Sequence, residues 1–251
     1  MDTQKDIRMA VLIDADNVPY SNVKGMMEEI AKYGTPTFKR IYGDWTKPTV
    51  GGWKNVLLEN AITPIQQYSY TSGKNSSDSA LIIDAMDILY SGKVDGFCIV
   101  SSDSDFTRLA TRLREAGMKV FGIGQKKTPN PFIVACDKFI YMEIIPVPGN
   151  VEMDISKTKT PKPVQKNQVD KISRETLKLI AATINDLADE NGWAFLGDVG
   201  NLLLKKQPNF DPRNYGFLKL TPLIKSLPQF EIDKREQEKG GAKLVYIRNV
   251  D

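Results

Sequence analysis

The 251-residue sequence contains no histidine and only two cysteines, Cys98 and Cys136. Without an imidazole group there is no Ser-His-Asp or Cys-His relay and no histidine general base. Two cysteines that lie far apart in the sequence supply neither a four-cysteine zinc site nor the disulfide framework of a small secreted domain. Hydrolytic chemistry in this chain must therefore depend on carboxylates, hydroxyl groups, lysines or a metal ion held by oxygen atoms.

The sequence also lacks a long apolar run and a large net charge. Its apolar runs are far shorter than a membrane-spanning helix requires, so we expect no membrane contact and a cytoplasmic location. It has 34 Lys+Arg and 31 Asp+Glu, and its hydrophobic fraction of 41% is that of an ordinary globular protein. Acids and bases balance in residues 1–150, at 17 of each, so the whole excess of +3 lies in the remainder of the chain.

One stretch of the sequence, residues 146–168, has neither the period of a strand nor that of a helix. It contains four prolines among lysines and polar residues, a composition that is typical of an extended linker. We therefore predict a first domain at residues 1–146, a flexible linker at 147–168 and a second domain at 169–251.

The first predicted domain alternates short β-branched runs with helical patterns. This rhythm predicts an α/β fold with a mainly parallel sheet and helices on both faces. Ligands of such sheets bind beyond the carboxyl ends of the strands, where the strand order reverses. The predicted strands are residues 9–15, 37–43, 62–68, 96–102, 119–124 and 139–145, and the predicted helices are 23–32, 50–60, 77–90 and 106–115.

The second predicted domain starts with a long amphipathic helix at residues 172–190. Two shorter helical patterns follow at 197–206 and 217–227. The chain then forms two short apolar runs, 230–232 and 243–248, joined by a charged segment that contains two glycines. Three helices and a hairpin in about 80 residues indicate a small α+β winged helix.

Aspartates occupy the places where predicted strands stop or a helix starts. Asp14 and Asp16 follow the first strand, Asp103 and Asp105 follow the fourth, and Asp78 opens the third helix. If the first and fourth strands are neighbours at the reversal point, these acids converge on one crevice. Crowded carboxylates repel one another unless a cation compensates, and an oxygen-only cluster suits Mg²⁺ or Mn²⁺.

Each of these acids also has a purely structural interpretation. Asp103 in SSDSDF is placed to cap a helix, and aspartates are frequent in turns. Asn17 either orients Asp14 or caps its own backbone. Asp84 lies six residues after Asp78, about 240° around the helix axis, so these two acids do not share a face.

Three segments, VLIDADNV, KNSSDSALIIDAM and IVSSDSDFTRLATRLREAGMKVFGIG, resemble the signature segments of the NYN domain, a branch of the PIN-like ribonucleases. The resemblance covers residues 7–145 and implies a three-layer α/β/α fold, a Mg²⁺ or Mn²⁺ site and endonucleolytic cleavage of RNA. It assigns the metal-binding and catalytic residues to Asp14, Asp78, Asp103 and Asp105, of which the first three are the core metal-binding acids and Asp105 is a supporting acid. Asp16, Asn17 and Asp84 are further supporting candidates by the same resemblance.

Residues 170–249 resemble the LOTUS (OST-HTH) domain in the segment GWAFLGDVGNLLLKKQPNFDPRNYGFLKLTPLIKSLPQFEI. This resemblance implies binding of RNA, in some members structured or G-rich, or contact with a protein partner. Basic side chains near the acids and in the second domain are candidates for phosphate contacts. These RNA-binding candidates are Lys74, Arg108, Lys126, Lys127, Lys205, Lys206, Arg213 and Lys219.

Two other functions fit part of the sequence. In a haloacid-dehalogenase-like phosphatase, VLIDADNV would follow a hydrophobic strand and Asp14 would be the nucleophile. That alternative leaves Asp78 and the winged helix unexplained. A non-catalytic RNA-binding protein would keep the basic surface and turn over no substrate.

Overall fold

A computed structural model describes residues 6–46, 52–68, 76–146, 169–235 and 243–250. The chain divides into two compact units, Met1–Thr160 and Pro161–Asp251. The predicted linker at 147–168 lies outside the described residues.

The first unit contains a six-stranded sheet in which every strand pairing is parallel. The strand order is β3-β2-β1-β4-β5-β6, so the order reverses between β1 and β4. The predicted fold class is confirmed, and the first and fourth strands are neighbours. The strands are β1 Arg8–Asp14, β2 Thr35–Gly43, β3 Thr63–Gln66, β4 Gly96–Val100, β5 Lys119–Gly124 and β6 Lys138–Tyr141.

Helices cover both faces of this sheet because consecutive residues of its central strands are apolar. On β1, Ala10 and Leu12 pack into one hydrophobic cluster, and Val11 and Ile13 pack into another on the opposite face. The strand is therefore buried on both sides, as expected for a parallel sheet. The helices are α1 Val23–Ile30, α2 Trp53–Glu59, α3 Ser76–Tyr90, α4 Thr107–Glu115 and α5 Asn130–Ala135.

Two local features differ from the sequence predictions. Helix α5 was not predicted, since six residues that contain a proline are too few to show a helical period. The last predicted strand ends at Tyr141, and residues Met142–Ile144 form a 3₁₀ helix instead. Neither difference moves the carboxyl ends of β1 and β4.

The second unit combines helices with a small antiparallel sheet of order β7-β9-β8. Ala194, Ile232 and Ile247 face the helices, where they join a single hydrophobic cluster. The two-residue strand β7 was not predicted because it is too short to show alternation. The elements are α6 Arg174–Leu187, β7 Ala194–Phe195, α7 Leu196–Lys206, α8 Leu220–Lys225, β8 Phe230–Arg235 and β9 Leu244–Asn249.

Candidate metal centre

The carboxyl end of β1 holds a buried carboxylate. Asp14 is 2% exposed, and its side chain accepts hydrogen bonds from the Asp16 backbone N–H at 3.1 Å, Asn17 Nδ2 at 2.6 Å and Ser101 Oγ at 2.9 Å. Burial raises the pKa of Asp14, and the three hydrogen bonds oppose that rise. Asp14 is thus both the last residue of the strand and the cap of the 3₁₀ helix Ala15–Asn17.

The carboxyl end of β4 repeats this local arrangement. Asp103 caps the 3₁₀ helix Ser104–Phe106, and its Oδ1 accepts a hydrogen bond from the Asp105 backbone N–H at 2.9 Å. The Asp103 backbone N–H in turn donates to Ser101 Oγ at 3.1 Å. The helix-capping interpretation of the SSDSD segment is therefore correct as well, and capping does not prevent the carboxylates from converging.

The first turn of α3 brings a third element to the same edge. Asp78, Asp103 and Asp105 each offer a carboxylate oxygen, and these oxygens lie within 4.8 Å of one another. The pKa of Asp78 is raised to about 6, first by burial and then by the charges of Asp14, Asp103, Asp105 and Asp16 in that order of effect. The charges of five aspartates from three elements therefore interact at this edge of the sheet. We call this group the acidic edge; it consists of Asp14, Asp16, Asp78, Asp103 and Asp105.

The donor atoms of the acidic edge fit a hard divalent cation. All of them are carboxylate oxygens, the ligands that Mg²⁺ and Mn²⁺ prefer. Burial and the charges of the neighbouring acids raise the pKa of Asp78, as expected for crowded carboxylates that a cation would stabilise. Asp78, Asp103 and Asp105 are the residues that could hold the ion.

A family model described as the NYN domain matches residues 8–143, more than half of the chain. The chain belongs to the NYN domain family. The matched range contains all six strands and all five acids of the acidic edge. The fold is accordingly the PIN-like α/β/α arrangement, and the family is one of nucleases.

A second family model, the OST-HTH/LOTUS domain, matches residues 167–241 and follows the NYN domain in the predicted order. The two domains together support a ribonuclease with an RNA-binding region. No curated protein matches the chain. Within the described ranges, no helix has the length and apolar character needed to cross a bilayer.

Several solved structures are similar to parts of the chain. A protein of unknown function from Vibrio parahaemolyticus is 20% identical, with a TM-score of 0.47, over 56% of this chain and 96% of its own. An uncharacterized protein from Nitrosomonas europaea is 33% identical over 38% of this chain and 90% of its own, with a TM-score of 0.31. A Chromobacterium violaceum protein is 30% identical over 32% of this chain and 86% of its own, with a TM-score of 0.26.

The predicted supporting residues of the NYN domain lie in two different places. Asp16 is an exposed member of the acidic edge, and its Oδ2 lies 3.5 Å from Ser77 Oγ, while Asn17 contacts Asp14. Asp84 instead forms an ion pair with Arg40 and accepts a hydrogen bond from the Tyr42 hydroxyl. Asp84 therefore neutralises an arginine of β2, which gives this acid a structural task of its own.

The RNA-binding candidates also differ in their position and in whether they form ion pairs. Lys126 and Lys127 follow the carboxyl end of β5, and Arg108 is exposed three residues after Asp105, so all three belong to the side of the sheet that carries the acidic edge. In the second unit, Lys205 and Lys219 are exposed. The other two candidates of the second unit form ion pairs, Lys206 with Asp186 and Arg213 with Asp211. Lys74 lies outside the described residues.

One residue of the site was missed from the sequence. Ser101 is fully buried and joins the two strand ends, because its hydroxyl donates to Asp14 and accepts from the backbone of Asp103. A serine within IVSSDSD resembles any other turn residue. Only the pairing of β1 with β4 turns it into a connection between two acids 89 positions apart.

Proposed function

We propose that the protein is a divalent-metal-dependent endoribonuclease that hydrolyses phosphodiester bonds of RNA. The nuclease domain is residues 1–146, the linker is 147–168, and an RNA-binding domain is 169–251. The observation that carries the proposal is the group of three carboxylate oxygens within 4.8 Å at the strand-order reversal of an NYN domain.

The proposed roles follow from burial and hydrogen bonding. Asp78, Asp103 and Asp105 hold Mg²⁺ or Mn²⁺, and such an ion, when bound, polarises a phosphoryl oxygen and lowers the pKa of water. Asp14 is proposed as a further metal-site and catalytic residue, since it is buried and its charge has the largest effect of the neighbouring acids on the pKa of Asp78. Asn17 and Ser101 keep the Asp14 carboxylate in place.

Positive side chains on the same side of the sheet are proposed to carry the RNA backbone. Arg108, Lys126 and Lys127 supply charge near the acidic edge, and Lys74 is a further candidate. Lys205, Lys206, Arg213 and Lys219 are the candidates of the second unit. Phosphate contacts of this kind are independent of sequence and weaken with salt.

The test is digestion of a single-stranded RNA by the purified chain with Mn²⁺ or Mg²⁺. We expect internal cleavage that stops with EDTA and falls roughly 100-fold or more in Asp103→Asn, because loss of a metal ligand removes several kcal/mol of transition-state stabilisation. Asp87→Asn, an exposed acid on α3, is the matched control and should cut like the parent. Cleavage that persists in Asp103→Asn would contradict the proposed site.

The two alternatives predict other results. A phosphatase would release phosphate from a small ester and carry covalent phosphate on Asp14, but this carboxylate is 2% exposed and both of its oxygens accept hydrogen bonds. A non-catalytic RNA-binding protein would bind the same oligonucleotide and leave it intact with either metal. Comparison of G-rich with mixed-sequence RNA tests the base preference that the OST-HTH resemblance implies.

A further inference from the structure

The small sheet of the second unit has an apolar inner face and an outer face of aromatic and charged residues. Strand register places Tyr246 opposite both Phe195 and Asp233, and Arg248 opposite Glu231. These side chains alternate with the inward-facing Ala194, Ile232 and Ile247, so they point away from the core. We call this outer surface the aromatic–arginine face; it consists of Trp193, Phe195, Glu231, Asp233, Arg235, Tyr246 and Arg248.

Two arginines of the aromatic–arginine face lie over aromatic rings. The Arg235 guanidinium lies 4.2 Å from the ring centroid of Tyr246 and 5.4 Å from that of Trp193. Arg248 lies 4.7 Å from the ring centroid of Trp193. Phe195 continues the row, with its ring centroid 5.8 Å from that of Tyr246. Three rings and two guanidinium groups therefore form one continuous layer.

This layer is open to solvent. The side chains of Arg235 and Arg248 are 41% and 42% exposed, and Phe195 is 36% exposed. Each arginine is also tied to a carboxylate on its own sheet, Arg235 to Asp233 at 2.9 Å and Arg248 to Glu231 at 2.6 Å. The pairs hold the guanidinium groups over the rings while leaving much of their surface accessible.

We propose that the aromatic–arginine face binds single-stranded RNA by stacking unpaired bases on its rings and guanidinium groups. This inference rests on the proposed function, and it assigns the RNA contact to a surface other than that of the predicted lysines. Unpaired bases stack on aromatic side chains and on arginine planes, and such contacts tolerate any base.

The composition of the face favours RNA over a protein partner. The described residues of the β8–β9 hairpin carry four basic side chains and two acidic ones, a balance that suits a polyanion; the basic residues are Lys234, Arg235, Lys243 and Arg248, and the acids are Glu231 and Asp233. Exposed Lys234 and Lys243 lie on the same hairpin, so that positive charge prevails around the rings. A base stacked on the layer brings its phosphate within reach of that charge.

The first experiment removes the planar groups but keeps their charge. In the full chain, with Asp103→Asn to prevent cleavage, Arg235→Lys plus Arg248→Lys should weaken binding of a labelled mixed-sequence single-stranded RNA roughly 10-fold, measured by fluorescence anisotropy. Duplex RNA of the same length should bind equally to both proteins, because its bases are not available for stacking. Thermal unfolding of both proteins shows that the second unit remains folded.

The second experiment releases an arginine from its acid. Glu231→Gln should tighten single-stranded RNA binding by a factor of about 2 to 5, since Arg248 loses a competing negative charge while the amide oxygen can still accept its hydrogen bond. Glu190→Gln is the matched control, because it makes the same charge change at an exposed acid of the second unit that does not belong to this face. Equal tightening in both variants would reduce the effect to general charge and overturn the assignment of this face.

The outcomes separate this inference from the proposed function. If the parent chain cuts and binds RNA but the double lysine variant binds it equally well, the aromatic–arginine face does not bind RNA and is available to a protein partner. If the chain neither cuts nor binds any single-stranded RNA, the proposed function fails and this inference fails with it.

Discussion

The acidic edge of the first unit and the aromatic–arginine face of the second arrange their charges in opposite ways. At the acidic edge, Asp78 lies among carboxylates, and its pKa is raised to about 6. On the aromatic–arginine face, Asp233 and Glu231 each bind an arginine on the same sheet. The first arrangement accumulates negative charge, whereas the second distributes both signs over a row of rings.

The difference shows how local charge compensation separates a cation site from a surface for a polyanion. Carboxylates that crowd together repel one another, and a bound cation relieves that repulsion. Exposed pairs on a sheet contribute little to folding, so they are free to exchange partners with a ligand. Asp84 belongs with the paired acids, although it is on the same helix as Asp78.

The largest expected effect comes from neutralising Asp78. Asp78→Asn should reduce metal-dependent RNA cleavage by roughly 100-fold or more, because one of three candidate ligands is lost. The same variant should be more stable than the parent without metal at pH 7, by roughly 1 kcal/mol after solvent screening, since repulsion among the acids is relieved. Cleavage assays and urea denaturation in EDTA measure the two effects. A variant less stable than the parent would contradict the expected repulsion among the acids.

The next effect tests the connection between the two strand ends. Ser101→Ala leaves Asp14 without one of its donors, so we expect a loss of about 1–3 kcal/mol in unfolding free energy and about 10- to 100-fold in cleavage. Ser102→Ala is the matched control, because Ser102 is buried next to it but accepts its hydrogen bond from Gln125. Equal loss of cleavage in both variants would argue against a specific role of Ser101.

A smaller effect is expected where an acid is already paired. Asp84→Asn should lower the unfolding free energy by about 1–3 kcal/mol, since Arg40 and the Tyr42 hydroxyl lose a charged partner in a half-buried place. Its effect on metal affinity, measured by Mn²⁺ titration, should be much smaller than that of Asp78→Asn. A comparable loss of affinity would move Asp84 into the metal site.

The smallest effect is a pH dependence of the metal-free chain. The pKa of Asp78 rises from 3.8 to about 6 on folding, so the folded state holds this proton more tightly. The resulting stabilisation is complete below pH 3.8 and is lost as the pH rises through about 6. The parent minus Asp78→Asn difference in unfolding free energy, measured in EDTA, should therefore fall from pH 4 to pH 7. Mn²⁺ should restore this difference in unfolding free energy above pH 6. A difference that does not change with pH in EDTA would contradict the raised pKa of Asp78.

The local arrangements that depend on neighbouring residues were predictable from the sequence. The alternation of β-branched runs with helical patterns indicated the parallel sheet, and the position of Asp14 and Asp103 after such runs indicated their place at strand ends. The segments VLIDADNV and IVSSDSDF carried the family resemblance as well. Helix α5 and strand β7 were missed because each is too short to show a period.

Contacts between distant segments were not predictable. The ion pair of Asp84 with Arg40 depends on how α3 packs on β2, and the sequence contains no signal that separates this acid from Asp78 except the angle between them. The stacking of Arg235 and Arg248 on Trp193 likewise depends on the register of β8 and β9. Spacing along one element predicts which residues share a face, but not what lies opposite.

The sequence by itself determined which side chains are available for chemistry. Without histidine, and with aspartates at strand ends, it points to oxygen ligands and a divalent cation. Tertiary structure decided which aspartates belong together, because the pairing of β1 with β4 and the start of α3 bring Asp78, Asp103 and Asp105 to one place. The physical reason is that charge repulsion and metal affinity depend on distances in space, and these follow from strand order and helix packing.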